Sequence, residues 1–173
     1  MSADHSTKQN SHEGIEDPII RPMRLADVEG VAAIERVCFS DPWSARAFAA
    51  EVTGAGGRNW VWVVESRSEI IGYLVAWCVE DEVHLANIAV APDRRGRGIG
   101  RSLMNRLLKK ARERKSAWIA LEVRFSNDAA RGLYESLGFR SVAIRKLYYQ
   151  REGEDALVMM YHLPPEPLRT EEE

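Results

Sequence analysis

Cysteine is scarce in this sequence, and the two cysteines that occur are far apart. Cys38 ends a helical pattern and Cys78 lies in a strand pattern, in no spacing typical of metal ligands. The pair predicts neither a zinc site nor a disulfide framework, which fits a reducing cytoplasm. Both are expected to be small buried hydrophobic side chains rather than nucleophiles. We therefore predict no metal, and we expect the chemistry to come from other residues.

Long apolar runs and an excess of one charge are absent too. No segment approaches the ~20 apolar residues that span a bilayer, and the N-terminus lacks the apolar core of a signal peptide. The net charge of −2 gives no overall attraction to nucleic acid or to a membrane. With 173 residues, 45% of them hydrophobic, the chain is expected to form one cytoplasmic domain, a monomer without direct nucleic-acid or membrane partners.

The two ends of the chain show no hydrophobic periodicity. Residues 1–17 are polar, and residues 164–173 contain three prolines that prevent regular strand pairing. Both segments are predicted to be disordered tails. The folded domain is therefore expected to span residues 18–163.

The domain begins with a short edge strand near residues 19–23, followed by two helical patterns. Asp27 is a suitable N-cap for the first helix, and Ser44 for a second helix that runs to Glu51. Trp43, in the loop between them, either closes the edge of the core or lines a binding groove. The apolar stripe of the first helix, with Ile34 on its flank, consists of Val28, Val31, Ala32, Val37 and Cys38.

Three strand patterns follow, at residues 60–65, 70–79 and 83–90, and the short turns between them predict an antiparallel meander. The third strand leads through the turn R-R-G-R-G-I-G, residues 94–100, into a helix. One face of this helix is basic, as expected for a solvated surface. Its other face is apolar and comprises Ile99, Leu103, Met104, Leu107, Leu108 and Ala111.

The turn at residues 94–100 has the composition of a phosphate site. It is rich in glycine and arginine, and it opens a helix whose first N–H groups and positive dipole end attract anions. No Lys-Ser/Thr follows the glycines, which excludes a P-loop nucleotide hydrolase. We predict that this turn binds the pyrophosphate of a cofactor.

A strand at residues 118–123 follows this helix, and a right-handed crossover makes it a parallel neighbour of the strand at 83–90. Another helix, capped by Ser126 or Asn127, then precedes two last strands joined by a polar loop. The chain is thus predicted to be an α+β (mixed α/β) protein. Its twisted sheet is mostly antiparallel, with six or seven strands, a central parallel pair and about four helices on both faces.

Glu122 is a carboxylate in an otherwise apolar strand. Burial without a partner costs free energy, and it is expected to raise the pKa of Glu122 toward the range of a general base. The alternative is a structural ion pair with Arg124 or Arg140. Both interpretations are open on the residues alone.

Tyr134 lies on the helix that follows Asn127. A phenol with a pKa of ~10 is a slightly weaker acid than a thiol, so the hydroxyl could protonate a departing thiolate. Alternatively, Tyr134 is an aromatic side chain that packs on the sheet.

Two segments resemble a known family. R-G-R-G-I-G at residues 95–100 resembles the acetyl-CoA-binding signature of the GCN5-related N-acetyltransferases (GNAT), R/Q-x-x-G-x-G/A. L-E-V-R-F-S-N-D-A-A-R-G-L-Y-E-S-L-G-F at residues 121–139 is similar to the ribosomal-protein-alanine N-acetyltransferases of that superfamily. P-W-S at 42–44, N-I-A-V at 87–90 and Y-Y at 148–149 agree with it. The similarity covers roughly residues 21–163.

The resemblance implies a GNAT fold and direct transfer of acetyl from acetyl-CoA to the N-terminal alanine of a small-subunit ribosomal protein. It makes Glu122 the general base and Tyr134 the general acid, and it places Trp43, Tyr148 and Tyr149 beside the acceptor. The residues that it implies for cofactor binding are Ile88, Ala89, Val90, Arg95, Gly96, Arg97, Gly98, Ile99, Gly100, Arg101 and Asn127.

Other functions remain open within this resemblance. The acceptor could be another protein N-terminus, a lysine or a small amine, although P-W-S and Y-Y together favour an N-terminus. A non-catalytic CoA-binding module would keep residues 95–100, but it would have no use for Glu122 and Tyr134.

Overall fold

The computed structural model describes residues 17–54 and 58–164, so the two predicted tails lie almost entirely outside the described residues. Its seven strands are β1 (Ile19–Pro22), β2 (Trp60–Ser66), β3 (Glu69–Val79), β4 (Glu82–Val90), β5 (Trp118–Arg124), β6 (Arg140–Tyr149) and β7 (Glu154–His162). Its four α-helices are α1 (Val28–Cys38), α2 (Ala45–Thr53), α3 (Ile99–Arg114) and α4 (Asp128–Ser136). Within these ranges, no helix is long and apolar enough to cross a membrane.

The seven strands form one sheet in the order β1-β2-β3-β4-β5-β7-β6. Neighbouring strands are antiparallel, except that β4 and β5 run parallel with α3 between them in the chain. The predicted meander and the central parallel pair are therefore confirmed, and so is the mixed α/β class.

Helices cover both faces of the sheet. α3 and α4 pack on one face, where Leu103 and Leu107 are fully buried near Leu121 of β5. α1 and α2 pack on the other face, where Phe48 meets Tyr73 edge-on at 5.2 Å between ring centroids. Each large side chain removed from water in this way stabilises the fold by about 1.5–3 kcal/mol. The apolar side predicted for α3 is buried at all six positions.

The first helix and its N-terminus depart from their prediction at four residues. Val37 is 70% exposed and Ile34 only 8%, because a turn of 3.6 residues carries Val37 away from the buried stripe. Glu35 occupies that stripe instead. Asp27 does not cap α1 with its side chain. Its carboxylate accepts a hydrogen bond from the Arg24 N–H at 2.7 Å and so closes the preceding turn.

β4 contains a β-bulge near the centre of the sheet, and its pairing with β5 ends at the same place. Leu85 and Asn87 pair with adjacent residues of β3, so Ala86 has no partner there. Leu85 therefore points into the α3 layer, whereas the Asn87 side chain reaches α1. Pairing of β4 with β5 ends at Leu85 and Leu121. A gap between β4 and β5 follows, at the carboxyl ends of the two parallel strands.

Candidate active site

The glycine turn before α3 has the geometry of an anion site. Gly96 and Gly98 have φ angles of 74° and 79°, and a Cβ at either position would meet nothing within 4 Å, so the backbone conformation rather than crowding favours glycine. The first hydrogen bond of α3 joins the Ser102 N–H to the Gly98 carbonyl at 2.9 Å. The N–H groups of residues 99–101 therefore have no acceptor within the helix. Together with the helix dipole, they suit a phosphate.

Three exposed arginines surround this turn, and the first turn of α3 contains no acidic residue. Their guanidinium groups donate to backbone carbonyls, a hydroxyl and a cysteine sulfur, and none of them contacts a carboxylate. The contacts are Arg95 Nε to Val90 O at 3.1 Å, Arg95 Nη2 to Cys38 Sγ at 3.2 Å, Arg97 Nη2 to Asp93 O at 3.3 Å and Arg101 Nη2 to Ser136 Oγ at 2.7 Å.

Two turn residues face the protein rather than solvent. Ile99 is 7% exposed and its side chain lies in the core, so only its backbone is available to a cofactor. A Cβ on Gly100 would lie 3.5 Å from Leu133 Cδ2. That separation is an ordinary van der Waals contact, so the packing of α3 against α4 does not by itself require glycine at this position.

The end of β4 turns backbone groups toward the gap. The N–H of Ala91 donates to the Ile71 carbonyl of β3 at 2.9 Å. Along an antiparallel strand, successive residues point their backbone groups alternately toward and away from the partner strand, so the N–H of Val90 points away from β3. Ile88 has the same orientation. Ala89 faces β3 with its backbone, and its side chain is buried in the α1 layer. Of the three residues predicted to line the cofactor, Ile88 and Val90 thus point backbone groups into the gap.

Two side chains contact the carboxylate of Glu122. Its side chain is 10% exposed, with Oε2 2.9 Å from His84 Nε2 and Oε1 accepting from Arg145 Nη1 at 2.8 Å. His84 first, and then Arg145, lower the pKa of Glu122 against the opposing effect of burial. The predicted rise of this pKa is therefore wrong, because the sequence pattern did not reveal these two donors. The arginine partner is Arg145, not Arg124 or Arg140.

Tyr134 lies in the α3/α4 layer, 5% exposed, with its ring 5.9 Å from that of Phe139. Burial raises the pKa of Tyr134, and so does the proximity of Tyr149. No described residue hydrogen-bonds to the Tyr134 hydroxyl. Burial raises the pKa of Tyr149 to about 12, and Glu122 also acts on it in that direction. Tyr149 therefore lies near both predicted catalytic residues.

Trp43 closes the edge of the core, which was one of the two alternatives, and its place beside an acceptor stays a prediction. It is half-buried, and its ring packs 5.5 Å from Phe48 at the edge of the core. On another side it stacks on Trp77 at 6.2 Å, with an interplanar angle of 17°. Its backbone N–H donates to Glu35 at 2.9 Å, which fixes the loop before α2.

Tyr148 and Tyr149 belong to the end of β6, where a polar loop was expected. The strand continues because Tyr149 still pairs with Glu154 of β7. Each tyrosine ring lies against a guanidinium, that of Arg145 at 4.4 Å for Tyr148 and that of Arg124 at 4.0 Å for Tyr149.

The turn after β6 contacts the loop before α2. Arg151 Nη1 donates to the Ser40 carbonyl at 2.5 Å, and Glu152 accepts a hydrogen bond from the Ser40 hydroxyl. Glu152 also pairs with Arg124 at 3.0 Å. The two segments that carry the predicted acceptor-side aromatics are thus held together.

Asn127 caps α4 as predicted. Its Oδ1 accepts from the Ala130 N–H at 3.1 Å, and this bond leaves the side-chain NH₂ group for another acceptor. A cofactor contact of Asn127 stays a prediction.

Sequence reasoning missed His84, Arg145 and Glu35. A signal existed for His84, because it alternates with apolar residues in β4 and had to face the opposite side of the sheet. Glu35 could have been found at helical spacing from Val31. Nothing in the sequence connects Arg145 with Glu122. Across the described ranges, no group of three or more His, Cys, Asp or Glu side chains could hold a metal ion.

Comparison with known proteins adds a family match. The model of the acetyltransferase (GNAT) family matches residues 28–139. The ribosomal protein bS18 alanine N-acetyltransferase of Escherichia coli K12 is 36% identical over 142 residues, which cover 81% of this chain and 94% of that protein. The N-alpha-acetyltransferase RimI of Mycobacterium tuberculosis is 38% identical over 148 residues, 81% of this chain and 89% of that protein.

The fold is similar to a solved structure of the same kind. The crystal structure of the E. coli ribosomal-protein-S18-alanine N-acetyltransferase superposes with a TM-score of 0.79 at 34% identity, over 88% of this chain and 97% of that one.

Proposed function

Because the chain belongs to the GNAT acetyltransferase family and is an acetyl-CoA-dependent N-acetyltransferase, we propose that its acceptor is the α-amine of a protein N-terminus. We favour the terminal alanine of a small-subunit ribosomal protein. The observation that carries this proposal is the 36% identity, over 81% of the chain, to an enzyme named for alanine of ribosomal protein bS18. Ribosomal proteins are made in the cytoplasm, where we place the reaction.

The cofactor side of the proposal rests on the glycine turn and the end of β4. Residues 95–101 would hold the pyrophosphate through free N–H groups and exposed guanidinium groups. The backbone of Ile88 and Val90 would align the pantetheine arm in the gap beside β5. The Asn127 amide would add a contact from the start of α4. Acetyl-CoA supplies the acetyl group as a thioester.

The chemical steps would be divided among three residues. Glu122 takes a proton from the acceptor ammonium, directly or through a water molecule, and the free amine attacks the thioester. The N–H of Val90 donates to the developing oxyanion. Tyr134 protonates the departing sulfur. No acyl-enzyme is needed, in keeping with Cys78, where burial raises the pKa of the thiol.

The lowered pKa of Glu122 limits what this residue does alone. A peptide α-amine has a pKa of ~7.7–8.0, so its deprotonation at pH 7 costs only about 1.4 kcal/mol. A carboxylate with a pKa below its usual value accepts a proton transiently and has to pass it on. Glu122 therefore suits a weak base that needs an exit route for the proton.

The acceptor is tested with a set of peptides that differ in their first residue, incubated with acetyl-CoA and analysed by mass spectrometry. We expect one acetyl group on the α-amine of the alanine peptide, and none on the same peptide with a blocked N-terminus and an internal lysine. Preferential acetylation of lysine or of a small amine would overturn the assignment of the acceptor as a protein N-terminus. Binding of acetyl-CoA without acetylation of any peptide would indicate a non-catalytic module.

A further inference from the structure

Asn87 is the first residue of β4 after the bulge. Its backbone pairs with β3, and its side-chain amide donates from Nδ2 to Glu35 Oε1 of α1 at 3.1 Å. On the other side, the pairing of β4 with β5 has already ended at Leu85. The last part of β4, with the backbone groups of Ile88 and Val90 that point into the gap, therefore follows a residue that is held from the β3 and α1 side.

Glu35 is a fixed anchor for this amide. Its carboxylate is 1% exposed, and besides Asn87 it accepts from the Trp43 N–H at 2.9 Å and from the hydroxyl of fully buried Tyr73. The Tyr73 hydroxyl also lies 3.2 Å from Asn87 Oδ1, but its single hydrogen can serve only one acceptor at a time, and the charged one is the stronger. Asn87 is thus joined to a carboxylate that other elements of the core already hold.

We propose that Asn87 is a positioning residue for acetyl transfer. Its hydrogen bond to Glu35 fixes the end of β4, and with it the N–H of Val90, relative to Glu122 on the other side of the gap. Because its side chain is bonded to α1, Asn87 acts through the backbone that follows it. This inference rests on the proposed function, because it takes the N–H of Val90 to be the donor to the oxyanion.

The position of the Val90 N–H matters because an oxyanion donor works only at close range. Loss of one such donor costs about 10²–10³-fold in kcat, and a misplacement of ~1 Å at a reacting centre costs about 10²-fold. The pairing of β4 with β5 stops at Leu85, so the ladder with β3 and the bond from Asn87 to Glu35 are left to resist such a shift. We therefore expect loss of this bond to slow acetyl transfer about tenfold or more.

The affinity for acetyl-CoA should depend much less on Asn87. The proposed pyrophosphate site is the turn at residues 95–101, and the chain before it has its own anchor, the bond from the Ala91 N–H to the Ile71 carbonyl at 2.9 Å. An interaction that serves the transition state lowers the rate of the chemical step without weakening the binding of the substrate. The dissociation constant of acetyl-CoA is therefore expected to change by less than about twofold when the Asn87 bond is lost.

Two substitutions at this residue separate the hydrogen bond from packing. Asn87→Leu keeps a side chain of similar size and removes the donor, whereas Asn87→Ala removes both the donor and the bulk. The rate of acetyl transfer is measured in a single turnover, with acetyl-CoA bound and with the acceptor that the peptide screen identifies. We expect this rate to fall about tenfold or more in both variants, while calorimetry gives the wild-type dissociation constant for acetyl-CoA.

Tyr73→Phe is the matched control for stability. It takes another donor away from Glu35 and should destabilise the protein, but it leaves the bond between Asn87 and Glu35 in place. Its rate of acetyl transfer is therefore expected to stay within about twofold of the wild-type rate. Circular dichroism at the assay temperature checks that all three variants are folded.

Three results would overturn the positioning role. They are a wild-type transfer rate in either Asn87 variant, an equal loss of rate in Tyr73→Phe, and weaker acetyl-CoA binding with a normal transfer rate. The first would leave only packing at residue 87, the second would point to the stability of the α1 layer, and the third to cofactor binding.

Failure of the proposed function gives a different pattern. If the peptide screen identifies a lysine or a small amine as the acceptor, the assignment of the acceptor fails, but the slower transfer in the Asn87 variants remains. If Glu122→Gln keeps full turnover, the proposed base fails, and the effect of Asn87 on the other side of the gap remains as well.

Discussion

The buried carboxylate of Glu35 accepts a hydrogen bond from the hydroxyl of Tyr73, 38 residues further along the chain. Glu35 is 1% exposed and also accepts from the Trp43 N–H at 2.9 Å and from Asn87 Nδ2 at 3.1 Å. One side chain thus joins α1 to β3, to the residue after the bulge of β4 and to the loop before α2. The end of β4 at the candidate site and the loop that carries Trp43 are therefore fixed by the same buried group.

Tyr73→Phe is expected to destabilise the protein by about 1.5–3 kcal/mol, the usual contribution of a buried hydrogen bond to a charged group. The midpoint of urea unfolding, measured by circular dichroism, checks this. Tyr161→Phe is the matched control, because that hydroxyl accepts only from exposed Arg112, and its effect should stay within about 0.5 kcal/mol. Equal midpoints for the two variants would show that the Glu35 carboxylate does not need Tyr73.

Glu122→Gln is expected to lower kcat at least about tenfold, since general-base catalysis contributes roughly 10²–10⁴-fold. The affinity for acetyl-CoA, measured by calorimetry, should be unchanged because Glu122 is absent from the phosphate turn. Glu113→Gln removes a carboxylate from the exposed face of α3 and should leave kcat unaltered. An unchanged kcat in Glu122→Gln would remove this residue as the base.

Tyr134→Phe should reduce kcat while leaving stability nearly unchanged. The reason is that no described residue hydrogen-bonds to the hydroxyl, so its removal leaves no partner unsatisfied. Steady-state kinetics and urea unfolding of the same preparation test both halves of the prediction. A loss of stability with normal kcat would identify Tyr134 as a packing residue of the α3/α4 layer.

Gly98→Asp is expected to weaken acetyl-CoA binding through charge, and Gly98→Asn provides the neutral match. Both substitutions place a side chain on a residue with φ of 79°, a conformation that asparagine and aspartate tolerate. Two like charges 4 Å apart repel by about 1–4 kcal/mol between water and a protein surface. The dissociation constant of Gly98→Asp should therefore exceed that of Gly98→Asn by about tenfold in calorimetry. Identical constants would contradict a phosphate at this turn.

Much of the fold could be predicted because the relevant signals are local. The apolar strand segments of β2, β3 and β4 and the helical spacing in α3 depend only on the order of residues along the chain. The glycine turn could be recognised for the same reason, since residues 96 and 98 define their own backbone conformation. The predicted apolar stripe of α1 was wrong at Val37, because the pattern of apolar residues did not settle which side of the helix faces the sheet.

The environment of Glu122 could not be predicted, because its partners come from other strands. His84 lies on the parallel neighbour β4, and Arg145 lies on β6, which is separated from β5 by β7. The sequence suggested a buried carboxylate with a raised pKa, whereas two donors from distant segments lower it. Long-range contacts of this kind depend on strand order and register.

By itself, the sequence determined the layered mixed α/β fold and the glycine turn at the start of α3, which follow from periodicity and from the conformational freedom of glycine. The choice of Glu122 and Tyr134 for catalysis came from the family resemblance, because residue type alone left a structural role open for both. Only the tertiary structure decided the bulge at Ala86, the parting of β4 from β5 and the pairing of Glu122 with His84. The physical reason is that the protonation behaviour of a carboxylate depends on the groups within hydrogen-bonding distance, and folding alone brings them there.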